Sequence, residues 1–346
     1  MLDKRILITN FAGKNMKRRT AIKLGALLSG ALAIPTLMSN TLPPAETNKK
    51  QPNCGYVKIN GDKFELYIFS DGHMLLENPQ PIFAPQINST TFTTELERLY
   101  LGNKGIDLAI NIMVIKINNK TILIDSGMGN HFGESQGWLL ENLQNAGINA
   151  DSITDILITH AHRDHIGGLI TKSNTIVYPN AQYHIAKAEY EFWTSENPDF
   201  SKSKLTNEQK KGTIAFPKKI LNIIKEKLNV FTPGDTLFSF INTELAEGHT
   251  PGHTIFTISS EGKSIKNIVD TFHSPLLITN PEWGIEFDID FEQGIKTRTQ
   301  VLEDCYINKR LVMSSHLPWP GLGYIDKREK YYWVPLYYST PTEIKL

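Results

Sequence analysis

The sequence predicts an α/β protein in which layered sheets are flanked by helices. Short β-rich runs recur along the chain, stretches with helical spacing of apolar residues separate them, and no internal repeat or low-complexity segment breaks the alternation. With 346 residues, 40% of them hydrophobic and 10% aromatic, the chain can bury a substantial core, which excludes disorder, collagen and coiled coil. Lys+Arg and Asp+Glu each number 36, giving a net charge of zero. Without a local basic patch, that balance excludes nucleic acid and anionic membrane as expected partners. Cys54 and Cys305 are too few for a disulfide framework, so the fold must rest on its core, with one bridge between them left open.

Residues 1–40 read as an export signal. Lys17, Arg18 and Arg19 form a basic region, and Ala21 to Leu37 is apolar but interrupted by Lys23, Ser29, glycines and Pro35, too short and broken for a membrane span. The order from Lys17 to Lys23 is similar to the twin-arginine export consensus, with Met16 as an alternative start. The expected location is therefore periplasmic or extracellular in a bacterium, with no stable membrane anchor. Residues 41–54 read as a solvated linker and 55–346 as the folded domain.

Within that domain, Phe64–Phe69, Ala109–Ile117 and Thr121–Ile124 are β-rich, and the turn chemistry of Asn118-Asn119-Lys120 joins the last two as a hairpin. Leu139, Leu140, Leu143 and Ala146 give a helix over Gln136–Ala146, ended by Gly147. Ile156–Thr159 is a short buried strand. Further strands are expected at Gln182–Ile185, Ile255–Ile258, Ile265–Val269 and Leu311–Met313, with a helix over Arg298–Lys309. The lysine-rich stretch 197–230 reads as an insertion, helical near its end, that covers or flanks a site.

The chemistry begins where the strand Ile156–Thr159 ends, in His160-Ala161-His162-Arg163-Asp164-His165. Three imidazoles and a carboxylate within six residues form a set of nitrogen and oxygen ligands of the kind zinc and similar divalent metals prefer. On a tight loop His160 and His162 point to one side and Asp164 and His165 to another, a spacing suited to two neighbouring metals.

This loop resembles the signature of the metallo-β-lactamase superfamily, which an aspartate precedes and His, Asp and His follow. Asp125 in Ile124-Asp125-Ser126-Gly127, His249 in Gly248-His249-Thr250-Pro251-Gly252-His253, Asp270 after Ile265–Val269, and His316 in Ser315-His316-Leu317-Pro318 match in order. The resemblance implies a four-layer αββα sandwich as the catalytic domain and two divalent metal ions, zinc being the expected pair. By the same resemblance His160, His162 and His249 would hold one metal and Asp164, His165 and His316 the other. Asp270 would lie between them, and Asp125 would brace the loop by hydrogen bonds. His253 is expected to pack rather than ligate, and His73, His131 and His184 to be structural or superficial.

A narrower resemblance, over residues 55–339, is to the methyl parathion hydrolase branch. It is carried by Ser70-Asp71-Gly72, Asp125-Ser126-Gly127 through Phe132-Gly133, Tyr190-Glu191-Phe192-Trp193, Phe287-Asp288-Ile289-Asp290, the run His316 to Gly323, and Tyr332-Trp333-Val334-Pro335. It implies a small-molecule substrate, an ester, lactone or phosphotriester, with Phe132 and Trp193 lining the leaving-group pocket. Two departures stand out: Val269 precedes Asp270 where glycine is usual, and His273 stands where lactonases of the superfamily often carry a tyrosine, which argues against a tyrosine-assisted mechanism. Two divalent cations set against Asp164, Asp270 and a bridging hydroxide leave a net positive centre that favours an anionic transition state. The expectation is thus an exported hydrolase whose bridging hydroxide attacks, with Asp164 and Asp270 as its catalytic carboxylates and Asp270 moving the proton. An iron-dependent oxidoreductase or dioxygenase on the same fold is the alternative, and a homodimer is left open.

Overall fold

The computed structural model describes residues 55–339 and 343–345, apart from 62, 103 and 104. The export signal, the linker and Cys54, and with it the Cys54–Cys305 question, lie outside the described residues.

Two sheets form the centre. The first begins with β1 (Tyr56–Asn60), β2 (Glu65–Leu76), β3 (Ile106–Ile117), β4 (Lys120–Ile124), β5 (Asp155–Ile158), β6 (Gln182–Ala186) and β7 (Leu228–Phe231). The second comprises β8 (Thr236–Leu237), β9 (Ile241–Leu245), β10 (Thr254–Ser260), β11 (Lys263–Val269), β12 (Leu311–Ser314), β13 (Leu322–Lys327) and β14 (Tyr331–Pro335). The chain then returns to the first sheet as β15 (Glu343–Lys345), parallel to β1. The β3–β4 hairpin pairs Ile117 with Lys120, as the turn residues predict.

The period-two rule decides which face each side chain takes. In β5, Ile156 and Ile158 point to the helical layer while Leu157 points to the opposite sheet; in β3, Ile112 and Val114 divide from Met113 and Ile115 in the same way. These strands are apolar on both faces because both faces are covered. Helices α1 (Gln80–Phe83) and α2 (Ser89–Arg98) belong to a separate apolar cluster around Phe83, Phe92 and Trp283. Three others, α3 (Leu139–Asn145), α5 (Lys187–Thr194) and α6 (Asn207–Ile224), cover the outer face of the first sheet, and α4 (Arg163–Ile166) sits in the loop after β5. Near α7 (Pro275–Thr279) the chain turns into α8 (Phe291–Ile307), whose Val301, Leu302 and Cys305 cover the outer face of the second sheet. The layers are therefore helix, sheet, sheet, helix.

Several elements differ in extent from expectation. Strand β2 runs to Leu76 because a bulge between Ser70 and Gly72, where Gly72 takes φ +111°, lets the ladder continue beyond Asp71. Helix α8 starts at Phe291, ahead of the expected Arg298, because the Asp290 carboxylate caps it by accepting the Gln293 N–H. The short strands β1, β7, β8, β9 and β13–β15 escaped the sequence reading. Their residues lack a long apolar run and are half-buried or exposed at many positions, so it is pairing within the sheets that makes them strands. Among the described residues no helix is long and apolar enough to cross a membrane.

The parallel neighbours β4 and β5, and β11 and β12, each end at the same edge of the sandwich. Asp125, the His160–His165 loop, Asp270 and His316 follow directly from those ends, and the β9–β10 connection carries His249.

Candidate metal centre

Asp125 leaves β4 with φ +61°, a left-handed conformation that aspartate tolerates. This turn aims its buried carboxylate at the next loop, where it accepts the Thr159 N–H (2.9 Å), the Thr159 hydroxyl (2.7 Å) and His165 Nδ1–H (2.8 Å). Because the Thr159 hydroxyl proton points to Asp125, its oxygen is left to accept His160 Nδ1–H at 3.0 Å. His249 Nδ1 donates to Asp288 Oδ1 (2.9 Å) and His316 Nδ1 to the Ala109 carbonyl (2.8 Å). Four imidazoles are thereby fixed in orientation with Nδ1 as donor, each turning Nε2 inward.

Those atoms meet. His162 Nδ1 stands 3.2 Å from His160 Nε2 and 2.9 Å from His249 Nε2. Asp270 Oδ2 lies 3.2 Å from His165 Nε2, 3.3 Å from His316 Nε2, 3.4 Å from His249 Nε2 and 3.6 Å from His160 Nε2. Asp164 Oδ2 is 3.2 Å from His316 Nε2 and 3.6 Å from His165 Nε2. Donor atoms within 4.8 Å of one another form the set His160, His162 and His249, the set Asp164, His165, Asp270 and His316, and a third of His249, Asp270 and His273.

The charges of this cluster ask for cations. Burial, reinforced by neighbouring imidazoles, lowers His160 and His162 well below the usual histidine value. For His165 the burial penalty is overcome by Asp270, Asp164 and Asp125, which raise it well above that value. Hydrogen bonds to Asp270 and Asp288 likewise outweigh burial at His249 and push it to about 9, and Asp270 and Asp164 push His316 to about 10. Against burial, the His165 ring above all holds both Asp164 and Asp270 below the carboxylate range. His165 Nε2 and Asp270 Oδ1 are buried with no hydrogen-bond partner among the described residues. Such orphaned atoms in a set of imidazoles and carboxylates fit a pair of divalent cations, which would take the place of the protons.

Around this set lie residues that the sequence reading missed. Glu189 on α5 is fully buried and accepts four hydrogen bonds, from Ala161 N, Trp193 Nε1, Thr250 Oγ1 and Gly252 N. Asp288, which orients His249, is itself held by the buried Arg298 (3.3 Å). Asn111 on β3 donates to the carbonyls of Ser314 and Leu317, which bracket His316. Apart from Trp193, one turn on in α5, and the Asp288–Arg298 pair, the partners lie on distant elements, so spacing along the chain carries little signal for these contacts. His253 packs as expected, Nδ1 donating to the Ala246 carbonyl and Nε2 accepting the Asp270 N–H. Each of the three set-aside histidines has a partner: Asp107 for His73, the Ile170 carbonyl for His131 and Asp155 for His184.

A cavity of about 370 Å³ opens onto the cluster, reaching His162, Asp164, His249, Asp270 and His316. Met74, Leu108, Leu205, Phe216, Pro217 and Phe287 form its apolar wall, Gln209, Gly212 and Thr213 also line it, and His273 lines it beside Asp270. Leu205 and the lining residues of α6 come from the lysine-rich stretch 197–230. His273 Nε2 is 3.2 Å from Asp270 Oδ2, its ring stacks on His316 at 5.2 Å, and burial lowers it to about 4. Trp193 does not line the cavity. It is fully buried behind His162, ring to ring at 5.7 Å, because Glu189 draws its Nε1 inward. Phe132 also stands off the cavity wall; it is 42% exposed, packs on Phe216 and carries Arg163 over its ring.

With the geometry established, comparisons with known proteins agree on family. The profile of the metallo-beta-lactamase superfamily matches residues 105–265. A solved structure described as AidC, a dizinc quorum-quenching lactonase in complex with a product, N-hexnoyl-L-homoserine, is 39% identical. It covers 83% of this chain and 99% of its own, with a TM-score of 0.79. A second, described as hydrolase AbOPH in the beta lactamase superfamily, is 27% identical over the same shares, with a TM-score of 0.76. Comparison with curated proteins gives no significant match. The sandwich, the paired ligand sets at its edge and these likenesses agree, and the chain belongs to the metallo-beta-lactamase superfamily as one of its metallo-hydrolases.

Proposed function

We propose that this protein is an exported, zinc-dependent hydrolase that opens lactones, with other esters and phosphotriesters as weaker alternatives. The observation that carries the reading is the inward convergence of five imidazoles, four fixed in orientation by an acceptor behind them, on the carboxylates of Asp164 and Asp270. In this reading His160, His162 and His249 hold one cation, Asp164, His165 and His316 the other, and Asp270 lies between. Bound there, two divalent cations supply Lewis acidity and make water nucleophilic near neutral pH.

The chain's own groups do the rest. Asp270 Oδ2 faces the imidazoles at the cavity floor and is placed to receive the proton that the attacking water loses; it can pass that proton to the ring oxygen as the acyl C–O bond breaks. His273, neutral and 3.2 Å from the same oxygen, keeps that carboxylate oriented. Met74, Leu108, Phe216 and Phe287 accept an apolar acyl portion and exclude water. Lactones are preferred because the 39% identical structure is described as a lactonase with a homoserine product, whereas the 27% identical one is described only as a hydrolase. Export rests on the Lys17–Lys23 pattern.

The test is metal analysis together with a panel of acyl homoserine lactone, aryl ester and phosphotriester substrates. About two equivalents of zinc and chelator-sensitive lactone hydrolysis are expected, with turnover abolished in His162→Ala and Asp270→Ala proteins that remain folded. Near-wild-type turnover in either variant refutes the mechanism, and one equivalent of iron without hydrolysis refutes the function.

A further inference from the structure

We propose that Glu189 is a positioning residue that sets the spacing of the two segments carrying the three-histidine set, and so governs one cation site independently of the other. This rests on the dinuclear reading above. A fully buried carboxylate outside the proposed ligand set is unusual unless it is paired with a cation. Glu189 forms no ion pair among the described residues. Instead its two oxygens are divided between two segments. Oε1 accepts the N–H of Ala161, which lies between His160 and His162, at 2.8 Å, and Trp193 Nε1–H at 2.6 Å. Oε2 accepts the Thr250 hydroxyl at 2.6 Å and the Gly252 N–H at 2.9 Å, on the segment that follows His249.

One carboxylate thus bolts the loop after β5 to the β9–β10 connection. An independent feature of the packing agrees: a Cβ on Gly252 would stand 2.3 Å from the Glu189 backbone nitrogen, so the His249 segment is pressed against the start of α5 where only glycine fits. His162 Nδ1 and His249 Nε2, 2.9 Å apart, belong to the two segments so joined. In the other set, His165 is held by Asp125, and His316 by the Ala109 carbonyl and by Asn111 on the carbonyls of Ser314 and Leu317.

A glutamine at this position keeps the shape but turns an NH₂ towards at least one backbone or indole N–H that can only donate, leaving buried N–H groups unsatisfied whichever way the amide is turned. The experiment strips the full-length protein of metal and titrates it with Zn²⁺ against a chromophoric chelator, for the wild type, Glu189→Gln and Thr250→Val. The last removes one bond to Oε2 and leaves the carboxylate in place. Circular dichroism and the melting temperature check the fold. The wild type should take up two equivalents. In Glu189→Gln one equivalent should weaken ~10–100-fold while the other moves less than about threefold, and Thr250→Val should weaken the same equivalent to a smaller degree. A general loss of packing would weaken both alike, and that result, or a folded Glu189→Gln protein with both affinities intact, overturns the proposal. If Glu189→Gln does not fold, Thr250→Val decides on the same criterion. A wild type that binds fewer than two equivalents instead overturns the dinuclear reading on which the proposal stands.

Discussion

Val269 is where the sequence departs from the family's usual glycine before the bridging aspartate, and its backbone shows what the departure entails. Its φ is +48°, in a region where a β-branched side chain clashes with its own backbone, and its side chain is fully buried under α8. The conformation is imposed from outside. A bulge between Asn267 and Val269 shifts the pairing with β12, Val269 N–H donates to Asn267 Oδ1, and the Ser314 hydroxyl donates to the Val269 carbonyl. The turn thus aims Asp270 at the histidines.

Val269→Ala keeps the left-handed strain and loses two buried methyl groups, a loss of ~2 kcal/mol. Val269→Gly removes the strain as well, ~1–2 kcal/mol, but costs ~0.5–1 kcal/mol in backbone entropy and ~0.8 kcal/mol for the third buried carbon. Glycine and alanine should therefore be equally stable to within about 1 kcal/mol, whereas at a relaxed buried strand position glycine would fall ~1.3–1.8 kcal/mol below alanine. Urea unfolding of the metal-free proteins measures the difference. A Val269→Gly protein less stable than Val269→Ala by ~1.5 kcal/mol or more would show that the strain is not there.

Other consequences can be checked in the same preparations. Asp288→Ala should weaken zinc binding ~10–100-fold in chelator competition, since His249 loses the acceptor that fixes its tautomer. His249 and His316 hold protons up to about 9 and about 10, so zinc must displace them at neutral pH. Affinity should accordingly rise with pH through that range, and calorimetry in buffers of different ionisation enthalpy should register proton release; uptake without release would contradict it. Burial, only partly offset by the N–H groups of Leu139 and Met128, raises Asp71 to about 7. Its folded value lies above its unfolded one, so stability present below about pH 4 is lost as pH rises through about 7, on the order of 4 kcal/mol. Asp71→Asn should abolish that slope in pH-dependent urea melts. A Cβ on Gly212 in α6 meets nothing within 4 Å, so Gly212→Ala should stabilise by ~0.5–1 kcal/mol. Gly212→Trp at this cavity-lining position should raise KM for long-chain substrates more than it changes kcat.

The sequence by itself determined the layered α/β class, the strands with apolar residues at every position and the order of the metal-ligand candidates. Each of those follows from local pattern: a strand covered on both faces must be apolar throughout, and a loop of His160, His162, Asp164 and His165 has few uses besides metal. The tertiary structure alone decided how that set is held. Glu189, Asp288, Arg298 and Asn111 are polar residues that read as surface until the fold buries them against partners tens to hundreds of positions away. It also withdrew Trp193 and Phe132 from the cavity: Glu189 takes the indole nitrogen of Trp193, and Phe132 packs on Phe216, while the stretch 197–230 that the sequence already placed over or beside a site does line it. Ligand type is a property of side chains and can be read in order along the chain. Ligand orientation is a property of the hydrogen bonds behind them, and those exist only once β4, β5, β11 and β12 end at the same edge of the sandwich.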